Sequence, residues 1–181
     1  MIKTTNLIII ALGCSLLGIG YYAWQQRWII FNIPVQFKQA PATAYTKKKA
    51  TVYLWRRESW TRESVELLWA NQESLDAQQL FQTTLTLLAE EHALKKKITV
   101  EHVLEHANHQ QLLVFLDAAP FSKNMSIRTK LMIVESLLKT LRENGIKTSL
   151  ISFFVNNQPL PDAHLDFSHP WPLLGFVNGA Q

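Results

Sequence analysis

Residues 7–23, LIIIALGCSLLGIGYYA, run for 17 positions without a charged side chain. As a helix this stretch would span roughly 26 Å, close to the hydrocarbon thickness of a bilayer. Tyr21, Tyr22, Trp24 and Trp28 gather where it ends, as interfacial aromatics do, and Gln25, Gln26 and Arg27 close it. A buried core helix is the alternative reading. An all-apolar helix placed first, with nothing after it to wrap around, fits a membrane segment better. The expectation is one transmembrane helix over residues 7–23.

The segment reads as an uncleaved anchor. Ala11, Leu12, Gly13 and Cys14 make a degenerate lipoprotein box, with Ala11 where Leu is usual. The apolar run continues for nine residues beyond Cys14, where a mature lipoprotein would turn polar. Charge counting is nearly balanced, with Lys3 on one side and Arg27 and Lys38 on the other. Orientation therefore rests on the signal-like position. It places residues 1–6 in the cytoplasm and the rest outside, giving a single-pass protein of the bacterial inner membrane with a periplasmic domain.

Residues 24–49 hold Pro34, Pro41 and a lysine triplet, and read as a juxtamembrane segment and linker. A domain should then occupy 50–170, with a tail over 171–181. The formal charge of +4 is mild and its basic residues are interspersed with Glu. Lys47, Lys48 and Lys49, like Lys95, Lys96 and Lys97, read as solvated faces. No basic stripe interleaves with aromatics, so nucleic acid is not an expected partner. Cys14 is the single cysteine, which leaves the domain without disulfides or a thiol nucleophile.

Within the domain, residues 51–55 form a β-rich run expected to be buried on both faces. Residues 56–63 read as a turn, and Val65, Leu67 and Trp69 begin to alternate as a second strand. Ser74 is placed to cap a helix over about 74–92, whose polar side carries Gln78, Gln82 and Thr86. Residues 98–106 and 112–116 are strand candidates joined by a hairpin. Residues 126–143 give the clearest helix, with Ile127, Leu131, Val134, Leu138 and Leu141 on its apolar stripe and Leu131 at the centre. Lys130, Glu135 and Arg142 are displaced from that centre, and Gly145 stops the helix. Residues 149–155 read as a central strand. Leu165 and Phe167 form a last apolar pair, and the tail from His169 is expected to be loosely ordered. The order β-β-α-β-β-α-β implies an α/β (α+β) domain, with a mixed or antiparallel sheet and two helices packed on one face.

The residues in this order resemble the GerM domain family, named for a sporulation and germination protein. Val52, Tyr53 and Leu54 match the family's opening strand. Residues 136–141 are similar to its Thr-Leu signature before a turn, and residues 154–160 to its strand and hairpin. His164, Leu165, Asp166, Phe167 and Ser168 resemble its closing motif. Asn157 stands where a glycine is common, and a single copy is present. The resemblance implies an α/β domain outside the membrane, related to modules that build large envelope complexes. It implies no catalytic residues.

His164 and Asp166, with His169 near, could be read as metal ligands. A side-chain hydrogen bond fixing the terminal hairpin fits the motif better, so His164, Asp166 and Ser168 are expected to be structural. His102 and His106, beside Glu101 and Glu105, read as a solvated strand face. There is no His-Glu-x-x-His, phosphate loop or Gly-x-Ser-x-Gly. The expected function is a non-enzymatic scaffold subunit without cofactors. Its partners would be membrane lipid and the proteins of an envelope complex, copies of itself among them. Arg128, Arg142 and Glu143, at the ends of the second helix and expected to face solvent, are the candidate interface. The alternative is a module that binds cell-wall glycan, for which Trp60 and Trp69 would serve if both were exposed.

Overall fold

The computed structural model describes residues 45–106 and 110–175. All of them fall within one unit of the chain, residues 43–181. The expected anchor at 7–23, with residues 1–6 and 24–44, lies outside the described residues. Among those described, no helix is long and apolar enough to cross a membrane. In chain order the elements are β1 (Thr46–Arg56), β2 (Ser59–Trp69), α1 (Glu73–Glu90), β3 (Val100–Glu105), β4 (Gln111–Leu116), α2 (Ile127–Glu143), β5 (Leu150–Val155), β6 (Gln158–Pro159) and β7 (Trp171–Pro172).

The expected element order and the mixed sheet with two packed helices are found. β4 and β5 run parallel, with α2 as the crossover between them, while β3, β6 and β7 pair antiparallel. β5 is central, as its sequence suggested, with β4 on one edge and the two short strands β6 and β7 on the other. β1 and β2 do not join this sheet but form a separate antiparallel ribbon.

The ribbon is longer than the sequence suggested. β1 opens at Thr46, inside the stretch read as linker, and the turn contracts to Arg57 and Glu58, with φ of 45° and 64°. Two consecutive positive φ values are the type I′ geometry that matches strand twist. Lysine is tolerated in β1 because Lys48 lies over the Trp69 ring, 4.4 Å from its centroid. Burial of β1 on both faces is also corrected. Ala50, Val52 and Leu54 are buried, while Tyr53 and Trp55 on the opposite face are half-buried.

α1 is not capped by Ser74. Its N-cap is Gln72, which makes no side-chain cap, and the first turn is tied down by acids instead. Asp76 accepts the Ala70 N–H at 2.6 Å, and Glu73 accepts those of Lys147 and Thr148 at 2.7 Å each. α2 begins as expected, with the Ser126 hydroxyl accepting the Thr129 N–H. It ends in a Schellman motif. Gly145 sits at φ 81°, Ile146 N–H reaches Leu141 O, and Gly145 N–H reaches Arg142 O.

The stripe of α2 is displaced from its expected register. Ile127 is 48% exposed and Leu131 is half-buried, while Lys130 and Glu135 are each 1% exposed. The reason is the C-terminal segment 160–175, which covers the polar side of the helix. Trp171 and Leu173 are buried, and β7 pairs with Leu150 and Ile151, so the tail is part of the sheet. Trp171 Nε1–H donates to Asp166 O at 2.9 Å, and the Trp171 and Phe167 rings stack at 4.9 Å. Gly175, at φ 70°, rests on Glu135, whose carboxylate a Cβ at this position would overlap. The β5–β6 turn uses Asn156 and Asn157 at φ 52° and 61°, left-handed values that Asn tolerates.

Candidate interaction surfaces

The buried charges hold the fold together. Lys130 Nζ lies 2.5 Å from Asp162 Oδ2 and 3.3 Å from His164 Nδ1. Asp162 Oδ1 accepts the N–H groups of His164 and Leu165 at 2.9 and 3.0 Å. Burial pushes the Asp162 carboxyl upward, but the Lys130 hydrogen bond and these two N–H groups outweigh it and hold the group below its ordinary value. A cavity of about 550 Å³ opens beside the pair, lined by Ala119, Phe121, Lys123 and Pro161. On the next turns of α2, Arg142 reaches Glu135 at 3.3 Å and donates to the carbonyls of Leu173 and Leu174 at 2.8 and 2.9 Å. Asp76, buried under the start of α1, behaves in the opposite way to Asp162. Burial raises its carboxyl above the ordinary value despite the Ala70 N–H.

The closing motif divides between two places. Asp166 accepts from the Ser168 N–H at 2.8 Å and hydroxyl at 2.5 Å, with His169 Nδ1 at 3.2 Å. These contacts, those of Ser168 foremost, hold the exposed Asp166 carboxyl below its ordinary value. His164 instead sits at the Lys130–Asp162 pair. No strand spans 164–168, although Leu165 and Phe167 point inward and their neighbours outward. Among the described residues no group of three His, Cys, Asp or Glu side chains could hold a metal ion. His102 stacks on Phe115 at 4.4 Å, and Phe115 on Phe154 at 5.0 Å, across the outward face of the mixed sheet.

The candidate interface residues divide between the two ends of α2, with Arg128 at one and Arg142 and Glu143, 3.9 Å apart, at the other. Arg128 is exposed and pairs with Glu58 at 3.1 Å, and Glu143 lies 3.5 Å from Lys139. Arg142 is half-buried, because the C-terminal segment folds over it. The glycan pair is also separated. Trp60 and Trp69 are nine positions apart in one strand and therefore lie on opposite faces of the ribbon. Trp69 is 7% exposed beneath Lys48, whereas Trp60 is half-buried, edge-on to Trp55 at 5.1 Å.

Strand edges show a clearer division. On β1, Asn144 acts as a surrogate strand. Its Oδ1 accepts the Thr51 N–H at 3.0 Å and its Nδ2 donates to Thr51 O at 2.7 Å, while Thr140 Oγ1 accepts the Tyr53 N–H at 3.0 Å. On β3, Gln82 accepts the Val100 N–H at 2.8 Å, and Gln78 donates to the carbonyls of Val100 and Glu101 at 3.3 Å. β5 is closed by β6 and β7. β2 is closed only at its end, where Gln79 donates to Leu68 O at 2.5 Å. Between Ser59 and Leu67 no strand or side chain among the described residues bonds its outer edge. These capping glutamines and the Asn144 mimic were not visible in sequence, because each depends on which backbone lies opposite.

No protein-family model and no curated protein sequence matches the chain. Among solved structures, it is similar to the tandem GerMN domains of the sporulation protein GerM from Bacillus subtilis, with a TM-score of 0.47 and 13% sequence identity. The match covers 70% of this chain and 46% of that one, so this chain spans less than half of the matched structure's length.

Proposed function

We propose that this chain is a non-enzymatic, membrane-anchored assembly subunit of a bacterial cell-envelope complex. Residues 7–23 serve as the anchor and the domain lies on the extracytoplasmic side. The observation that carries this reading is how the fold spends its polar groups. Lys130, Asp162, Arg142, Asp76 and Glu73 are all committed to bonds that join separate parts of the chain. A strand of 11 residues is meanwhile left open along its outer edge, which suits recognition of another chain better than chemistry. Confinement to a membrane plane raises the effective concentration of such subunits, so weak lateral contacts suffice. The motif resemblance to the GerM family agrees with this role.

Native protein extracted gently in detergent and sized by sedimentation tests the reading. A particle well above monomer mass, with co-purifying protein chains, is expected. A monomer that instead binds purified cell wall would replace the assembly role with glycan binding. Mass spectrometry of the same sample tests the anchor. The expected chain retains residues 7–23, and an N-terminus at a lipid-modified Cys14 would overturn it.

A further inference from the structure

We infer that the open edge of β2 pairs with β2 of a second copy of this chain, antiparallel and two-fold symmetric about Ser64. The inference deepens the assembly reading and rests on it.

The backbone directions follow from β1. Thr51 N–H and C=O and Tyr53 N–H point away from β2, to Asn144 and Thr140. Hydrogen-bonded and non-hydrogen-bonded pairs alternate along an antiparallel ladder. The pairs Thr51↔Ser64 and Tyr53↔Arg62 are therefore non-hydrogen-bonded. It follows that the backbone groups of Arg62, Ser64 and Glu66 point out of the open side of the ribbon.

The side chains of the same residues share one face, which runs Trp60, Arg62, Ser64, Glu66, Leu68 and is exposed from Arg62 to Leu68, while Trp60 is half-buried beside Trp55 and Lys139. This row is complementary to itself when reversed. With Ser64 opposite Ser64, Arg62 meets Glu66 of the second copy, Glu66 meets its Arg62, and Trp60 meets its Leu68. Leu68 is 52% exposed, a large apolar side chain otherwise without a cover. Arg62 and Glu66 enter no ion pair among the described residues. Register is specified by charge. A slide of two residues leaves both charges without partners, and a slide of four sets Arg62 against Arg62 or Glu66 against Glu66, which is repulsive. The row also continues inward, since Lys49 neighbours Glu66 across the ribbon, so positive and negative charges alternate over three strands. Gln79 at Leu68 O ends the available ladder, which leaves the span from Arg62 to Glu66 for hydrogen bonding.

The test uses the full chain in lipid vesicles, with Cys14→Ser as background because Cys14 is the single native cysteine. Directly opposite hydrogen-bonded residues have Cα atoms about 5.5 Å apart, within disulfide range. Ser64→Cys is expected to form a disulfide dimer under mild oxidation, and the exposed control Lys123→Cys is not. Adding Arg62→Glu should lower the dimer yield about tenfold, since both symmetric pairs become repulsive, and adding Glu66→Arg to that variant should restore it. Retained melting shows that each variant is folded. Ser64→Cys cross-linking no better than Lys123→Cys, or an Arg62→Glu effect that Glu66→Arg does not reverse, would overturn the pairing. If the protein still sediments as a large particle in that case, the assembly reading stands and only this contact fails. If it is monomeric throughout, both fail.

Discussion

β1 and β2 have the same length, face each other residue for residue, and differ in what lies on their outer edges. β1 runs beneath the end of α2, where Asn144 and Thr140 meet its backbone. β2 turns its outer edge to solvent, with Arg62, Ser64 and Glu66 exposed. Chain position does not explain the difference, because the other edges receive caps along part of their length. β3 receives two glutamines from α1, and β5 receives β6 and β7 from a segment held down by buried ions. An edge left open over most of 11 residues is an aggregation hazard unless it has a use. The contrast teaches that closed edges serve the stability of this domain and the open one serves its association.

The largest effect should come from the ions that close the β5 edge. Lys130→Ala strands Asp162, whose side chain is 6% exposed, without its cation. A loss of about 3–5 kcal/mol is expected in chemical denaturation, and an unchanged midpoint would show that the segment is held by its apolar residues alone. The same pair sets an acid dependence. Asp162 titrates lower folded than unfolded, so its contribution is fully present above the ordinary value of 3.8 and is lost as pH falls through the folded value. Asp76 has the opposite sign. Its contribution is present below 3.8 and is lost as pH rises through its raised folded value. Asp162→Asn should therefore flatten the loss of stability in acid, and Asp76→Asn should steepen it, as read from melting across the acid range.

A smaller effect is expected at the closed edge of the ribbon. Asn144→Ala removes both bonds to Thr51 and should cost about 2 kcal/mol. Gln82→Ala, which uncovers the Val100 N–H, should cost about 1 kcal/mol. The smallest effect belongs to the open edge. Arg62→Glu in dilute detergent-solubilised protein should change stability by less than about 0.5 kcal/mol, as a surface substitution without partners does. A large loss there would mean that β2 is braced within its own chain and the contrast between the two strands is false.

Element order was legible because it rests on local signals. The period of α2, the stop at Gly145 and the two asparagines after β5 each act within a few residues. The ends of β1 and β2 were not legible, because three lysines and a run of polar residues resemble a linker until Lys48 is seen over Trp69. The buried Lys130 and Glu135 escaped detection for the same physical reason. A charged residue on a helix reads as solvent-facing unless its partner is known, and Asp162 and Arg142 approach only in the folded chain. Arg142 misled in the same way, since its partners are backbone carbonyls of Leu173 and Leu174 in a segment that carried no strand signal. The bonds that Asp166 and Ser168 make with each other are local, within two residues. The partner of His164 is Lys130, distant in sequence, so this contact could not be read from neighbouring residues.

Hydrogen exchange at the Ser64 amide in full-length protein reconstituted into vesicles tests the central claim most directly. Its N–H has no acceptor within the chain's described residues, whereas those of Thr51 and Tyr53 on β1 have Asn144 and Thr140. At high protein density in the membrane, Ser64, Arg62 and Glu66 should exchange as slowly as Thr51 and Tyr53, and dilution with lipid should make them fast while β1 remains slow. Fast exchange at Ser64 under crowded conditions, with β1 protected, would contradict the claim that this edge is where copies of the chain meet.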